Sequence, residues 1–149
     1  MIRNAVMADA NSIQLLVNSF AGRGQMLMLS KNEIYEKIFE FMVYEKDGEV
    51  AGVCALHPMW EDLAEIRSLA VSEKIHKCGI GGSLVSAQLE RAKEFGLCKV
   101  FTLTYMENFF SKQGFNIISK EELPKKIWTD CLKCVKFPDC DEIAMIKEL

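Results

Sequence analysis

Three stretches of the 149-residue chain bring together residue types that could do chemistry. In "IHKCGIGGSL" (75–84) three glycines, Gly79, Gly81 and Gly82, fall within four positions, beside Lys77 and just ahead of a helical pattern. Strand, tight glycine turn and helix in that order form a setting in which successive backbone N–H groups and the positive end of the helix dipole favour an anion. The pattern is neither that of a P-loop nor GxGxxG. On the glycines alone, a tight turn that holds no ligand stays open. In "LAEIRSLAV" (63–71) the alternation of a strand puts Glu65, Arg67 and Leu69 on one face, a carboxylate beside a guanidinium. In "CLKCVKFPDC" (131–140) Cys131, Cys134 and Cys140 are three potential soft ligands. A structural zinc site uses four, and the fourth would have to be Asp139, Asp141, His57 or a distant cysteine. Reduced thiols ordering a loop are the simpler account, and no metal is assigned. Cys54, Cys78 and Cys98 read as small core or loop residues.

The elements that must position these groups are legible in periodicity and turn chemistry. "IRNA" (2–5) is a short strand. Asp9 is placed to N-cap a helix with Ile13, Leu16, Val17 and Phe20 on its apolar face, stopped at "AGRG". Ser30 and Glu33 form a capping box that starts a second helix, with Ile34, Ile38 and Phe41 on one side. "FMVYEKDGEVAGVCALHP" (41–58) is a hairpin around Asp47-Gly48, which supply the positive φ angles of its turn. The strand 63–71 leads into the glycine turn. A helix carrying Leu84, Val85, Leu89 and Ala92 follows and ends at Gly96, a C′ glycine. "KVFTLTY" is a strand, "ENFFSKQG" a short helix, "FNIIS" a strand, and "DEIAMIKEL" the last strand. His57, before Pro58, ends a strand. The order is that of one α/β domain over residues 1–149.

Bulk properties exclude several classes. Half of the residues are hydrophobic and 26% are charged, which suits a globular chain. A net charge of −3 gives no electrostatic footprint for nucleic acid. No apolar run approaches the roughly 20 residues of a membrane span, and the start "MIRNAVMADA" has no signal-peptide core. The expectation is a cytoplasmic protein with reduced cysteines.

"LAV" (69–71) followed eight positions later by "GIG" (79–81) resembles motif A of the GNAT superfamily of N-acetyltransferases, and "FFSKQGF" (109–115) resembles that family's later aromatic-x-x-x-Gly-Phe signature. Within it, "GQMLMLSKNEIYEKIFEF", "CALHPMWEDLAEIRSLAV", "FTLTYMENFFSKQGF" and "ELPKKIWTDC" are similar to the acetyltransferase domain of N-acetylglutamate synthases, in a short stand-alone form. The resemblance implies a GNAT fold: a mixed, mostly antiparallel sheet of about six to seven strands flanked by about four helices. It implies acetyl-CoA as cosubstrate, glutamate as acceptor, and a place in arginine biosynthesis.

The resemblance also assigns residues. His76, Lys77, Cys78, Gly79, Ile80, Gly81, Gly82 and Ser83 would wrap the coenzyme pyrophosphate, with His76 where the family has Gln or Arg. Leu69, Ala70 and Val71 would meet the pantetheine arm, and Phe109 would pack against the coenzyme. Glu65 matches the general-base glutamate of histone-type members; the other account is a structural partner of Arg67. The family's thiolate-protonating tyrosine is Phe110 here, which leaves Tyr105, water or unassisted departure. An arginine pair that the synthases carry before the second helix is replaced by Met28 and Leu29. Arg67 and Arg23 are then the candidates for the glutamate carboxylates. Two further readings stay open: a GNAT enzyme for another amine, such as a different amino acid, a polyamine or a protein N-terminus, and a non-catalytic coenzyme A-binding regulatory module. A homodimer is compatible with the sequence.

Overall fold

A computed structural model describes residues 1–22, 26, 28–75, 78–123 and 142–149. Seven strands form one sheet in the order β1-β2-β3-β4-β5-β7-β6, with β1 Ile2–Asn4, β2 Phe41–Lys46, β3 Glu49–Trp60, β4 Leu63–Val71, β5 Lys99–Thr104, β6 Asn116–Ile118 and β7 Ile143–Glu148. Neighbours run antiparallel except β4 and β5, which are parallel. A parallel pair needs a crossover connection, and the 15-residue helix α3 (Ile80–Glu94) supplies it.

Side-chain period sorts the core into two faces. Cys54, Leu56, Ala64 and Ile66 pack with Leu84, Val85, Leu89 and Ala92 of α3 and with Phe110 of α4 (Glu107–Lys112). The opposite face carries Phe41, Val43, Val53, Ala55 and Ala70 against Ile13 and Val17 of α1 (Ala10–Ala21) and Ile34 of α2 (Lys31–Glu36). The β2–β3 turn has Asp47 at φ 53° and Gly48 at φ 79°, the two left-handed residues of a type I′ hairpin. Ser30 accepts a hydrogen bond from Glu33 N–H at 3.1 Å, so the capping box forms.

Three local expectations shift. Asp9 is not a side-chain N-cap of α1. A 3₁₀ turn, Met7–Asp9, precedes the helix, and the Asp9 carboxylate accepts from Val6 N–H at 2.8 Å and from both Arg3 Nη atoms at 2.7 and 3.0 Å. Helix α2 stops at Glu36, and Ile38–Glu40 is a separate 3₁₀ turn, so Phe41 opens β2. All three apolar residues still reach one core, because strand pairing takes over the burial that a longer helix would have given. His57 does not end β3, which continues through Pro58 to Trp60. The ladder shifts register between Pro58 and Trp60, an irregularity that accommodates a proline.

Candidate active site

The site grows from a defect in β4. Opposite β3, His57 pairs with Glu65, Leu56 with Ile66 and Ala55 with Arg67, and then Val53 pairs with Ala70. Two steps along β3 match three along β4, so β4 carries a bulge, and Ser68 sits in it at φ 52°. An extra residue reverses which face each later side chain meets. Glu65 and Arg67 lie on the α1/α2 face, opposite His57 and Ala55 in the ladder. Leu69 and Val71 pack instead with the α3 core. The expectation that Glu65, Arg67 and Leu69 share a face is therefore corrected: the strand turns its chemistry from one side of the sheet to the other in three residues.

Just there, β4 and β5 part. Their pairing covers Leu63 to Glu65 against Lys99 to Phe101, while β4 continues to Val71 and β5 to Thr104. Thr102 Oγ1 donates to Ile66 O at 3.2 Å at the mouth of the opening. Ser72 N–H donates to Ala51 O of β3. By alternation the backbone N–H groups of Leu69 and Val71 point to the opposite edge, toward the opening.

On the α1/α2 face Arg67 Nε donates to Glu65 Oε1 at 2.6 Å, and Glu65 is 8% exposed. His57 Nδ1 lies 2.8 Å from Glu40 Oε1. Glu40 is held from behind: fully buried Gln88 donates through Nε2 to Glu40 O at 3.0 Å and Cys54 O at 2.6 Å, and Arg91 donates to Gln88 Oε1 and to Phe39 O. Burial works against the Arg91 charge and lowers its pKa, while Glu94 and Glu40 act the other way.

The glycine turn is built as follows. Gly79 caps α3 at φ 76°, a conformation that glycine takes at no steric cost. Ser83 N–H and Oγ both donate to Gly79 O, at 3.1 and 3.0 Å. The N–H groups of Ile80, Gly81 and Gly82 are those a helix start leaves without an intrahelical acceptor, at the positive end of its dipole. Gly81 has a second reason for being small. A Cβ there would stand 3.3 Å from the Phe109 ring, and at Gly82 one would stand 3.0 Å from Gln113 Nε2. Helix α4 thus packs against the first turn of α3, with Phe109 edge-on to Phe110 at 5.0 Å between ring centroids. Phe110 is buried and stacks edge-on with Phe115. Tyr105 follows β5 and is exposed. Cys78 is exposed and Cys54 buried, and burial pushes the Cys54 thiol up.

Arg23, His76, Lys77, Cys131, Cys134 and Cys140 lie outside the described residues. Among the described residues no group of His, Cys, Asp or Glu is placed to hold a metal ion, and no helix is long and apolar enough to cross a membrane.

Residues 14–115 match the acetyltransferase (GNAT) family. The chain belongs to that family. An uncharacterised N-acetyltransferase of Chlorobaculum tepidum is 45% identical over 99% of this chain and 96% of its own length. The amino-acid acetyltransferase of Mycobacterium tuberculosis is 35% identical over 87% of this chain and 76% of its own. An N-acetylglutamate synthase from Neisseria gonorrhoeae, solved with coenzyme A and N-acetyl-glutamate, superposes with a TM-score of 0.91 at 27% identity. All of this chain is covered there, but only 35% of that one. The GNAT protein described here is an acetyl-CoA-dependent acetyltransferase, and its sheet and four helices are the expected fold.

Sequence reasoning missed the bulge at Ser68 and the His57–Glu40 pair. The first left a trace: apolar residues keep even parity at Ala64 and Ile66 and odd parity at Leu69 and Val71. The second left none, because Glu40 and His57 are 17 residues apart.

Proposed function

We propose that this acetyltransferase transfers the acetyl group of acetyl-CoA to the α-amine of an amino acid, glutamate. The observation that carries the proposal is the Glu65–Arg67 pair, set on the α1/α2 face at the point where β4 leaves β5. In that arrangement acetyl-CoA approaches from the α3 side and the acceptor from the other, and the two meet in the opening between the strands. The relatives named amino-acid acetyltransferase and the neighbour solved with N-acetyl-glutamate support the choice of substrate.

The chemistry follows from proton bookkeeping. A free amine is largely protonated near neutral pH and must lose a proton before its lone pair attacks the thioester carbonyl. Glu65 accepts that proton. The new N–C bond forms, the attacking nitrogen gives up its second proton to water, the C–S bond breaks, and sulfur leaves with the electron pair. Phe110 has no acidic hydrogen, so the thiolate takes its proton from Tyr105 or water. Arg67 holds Glu65 by Nε, and its Nη groups have the geometry to hold a substrate carboxylate. Leu69, Ala70 and Val71 line the pantetheine arm. Cys78 through Ser83 hold the pyrophosphate with backbone N–H groups and the α3 dipole, and Phe109 walls the turn.

The test is thiol release from acetyl-CoA with a panel of amines. Glutamate should give the highest kcat/KM. Preference for a polyamine or a peptide N-terminus overturns the glutamate assignment, and coenzyme A binding without turnover of any amine points to a regulatory module.

A further inference from the structure

We propose that His57, oriented by Glu40, carries the amine's proton from Glu65 to solvent. The proposal rests on Glu65 as the proton acceptor and extends it by one step. Converting an ammonium and a thioester into an amide and a thiol releases one net proton. Glu65 must pass that proton on before the next turnover, and Glu65 is buried.

The strand register supplies the next acceptor. His57 stands directly opposite Glu65 in the β3–β4 ladder, on the same face. Such neighbours have Cβ atoms about 4.5–5.5 Å apart, within reach of a hydrogen bond or one bridging water. The ionised Glu40 carboxylate can only accept, so the 2.8 Å contact puts the proton of neutral His57 on Nδ1 and leaves the lone pair on Nε2. A base held by an orienting carboxylate is the arrangement that proton transfer uses. His57 and Glu40 both keep about one fifth of their side-chain surface exposed, an exit that Glu65 has much less of. In the step itself, the proton leaves the Glu65 carboxyl for Nε2, and the resulting imidazolium donates to Glu40 through Nδ1. It then releases one proton to water, restoring neutral His57 and carboxylate Glu65. The charged groups that bear on His57 among the described residues are Glu40 from the turn before β2 and Glu65 and Arg67 from β4. Arg91 from α3 reaches the same turn at Phe39 O. His57 acts through Glu65 and does not touch the amine, so it is a positioning and relay residue.

The test compares pH profiles of kcat, at saturating acetyl-CoA and amine, for wild type, His57→Gln, Glu40→Gln and Glu65→Gln. Folding is checked by melting and coenzyme affinity by calorimetry. His57→Gln and Glu40→Gln should keep acetyl-CoA affinity within about twofold and lower kcat about tenfold or more. Both should also change the shape of the pH profile, and imidazole in the buffer should restore part of the rate to His57→Ala. A wild-type profile and rate in folded His57→Gln overturn the relay. If Glu65→Gln is then still impaired, the base assignment stands without it. A wild-type profile in Glu65→Gln removes both. Should His57→Gln fail to fold, the near-isosteric Glu40→Gln decides, and an unchanged profile there overturns the proposal.

Discussion

Arg67 Nε lies 2.6 Å from Glu65 Oε1 on one face of β4, while Leu69, two residues further along, packs against α3 on the other. In the proposed reaction the guanidinium has two tasks, holding the carboxylate and offering donors to the acceptor. Arg67→Ala should raise the KM for glutamate roughly 10- to 150-fold, the equivalent of about 1.5–3 kcal/mol for a charged hydrogen bond. It should also lower kcat, because Glu65 loses its holder. Lysine at 67 should restore only part, since it lacks the planar fork. Steady-state kinetics at saturating acetyl-CoA reads both effects, and glutamate kinetics unchanged in Arg67→Ala would remove the acceptor assignment.

Ser68 at φ 52° makes the reversal of faces possible. A left-handed backbone costs a side-chain-bearing residue about 1–2 kcal/mol, and a β-branched one more. Ser68→Gly should keep the melting temperature and acetyl-CoA affinity near wild type. Ser68→Val should lower both. Equal behaviour of the two variants in thermal melts and calorimetry would mean that the bulge does not depend on this conformation.

Ser83 gives a cleaner probe of the proposed pyrophosphate cradle than the glycines. Gly81→Glu would drive a side chain into the Phe109 ring, and Gly79→Glu would strain a residue at φ 76°, so loss of binding there would be mixed with loss of stability. Ser83 is exposed in the first turn of α3, where an acidic residue favours the helix. Ser83→Glu should leave the melting temperature level or raised, yet weaken acetyl-CoA binding at least about tenfold, which is about 1.4 kcal/mol. Unchanged affinity by calorimetry would count against anion binding at this turn.

Asp9 should shape the acid limb of stability. Hydrogen bonds from Arg3 hold its carboxyl below the ordinary range despite burial, with Val6 N–H adding to the effect. A carboxyl depressed in the folded state stabilises above its unfolded value, about 3.9, and loses that contribution as pH falls through its folded value. Denaturant midpoints of wild type and Asp9→Asn should differ most near pH 7 and converge below about pH 4. A gap that stays constant with pH would show that the ion pair is not its source.

The sequence by itself determined the elements and their order. The spacing of Leu84, Val85, Leu89 and Ala92, the Ser30–Glu33 box, and the positive φ at Asp47, Gly48 and Gly96 are local chemistry, satisfied within a few residues of the chain. The glycine turn and the "LAV" strand end were legible for the same reason. Tertiary structure decided which face each group meets. One extra residue at Ser68 divides Glu65 and Arg67 from Leu69, and strict alternation assigned all three to one side. It also decided that Gly81 must be small for Phe109, and that His57, Glu40 and Gln88 form one chain of hydrogen bonds. Those pairings join residues 17 to 48 positions apart. Such contacts form only when the sheet's register brings distant backbone together, and no local pattern encodes them.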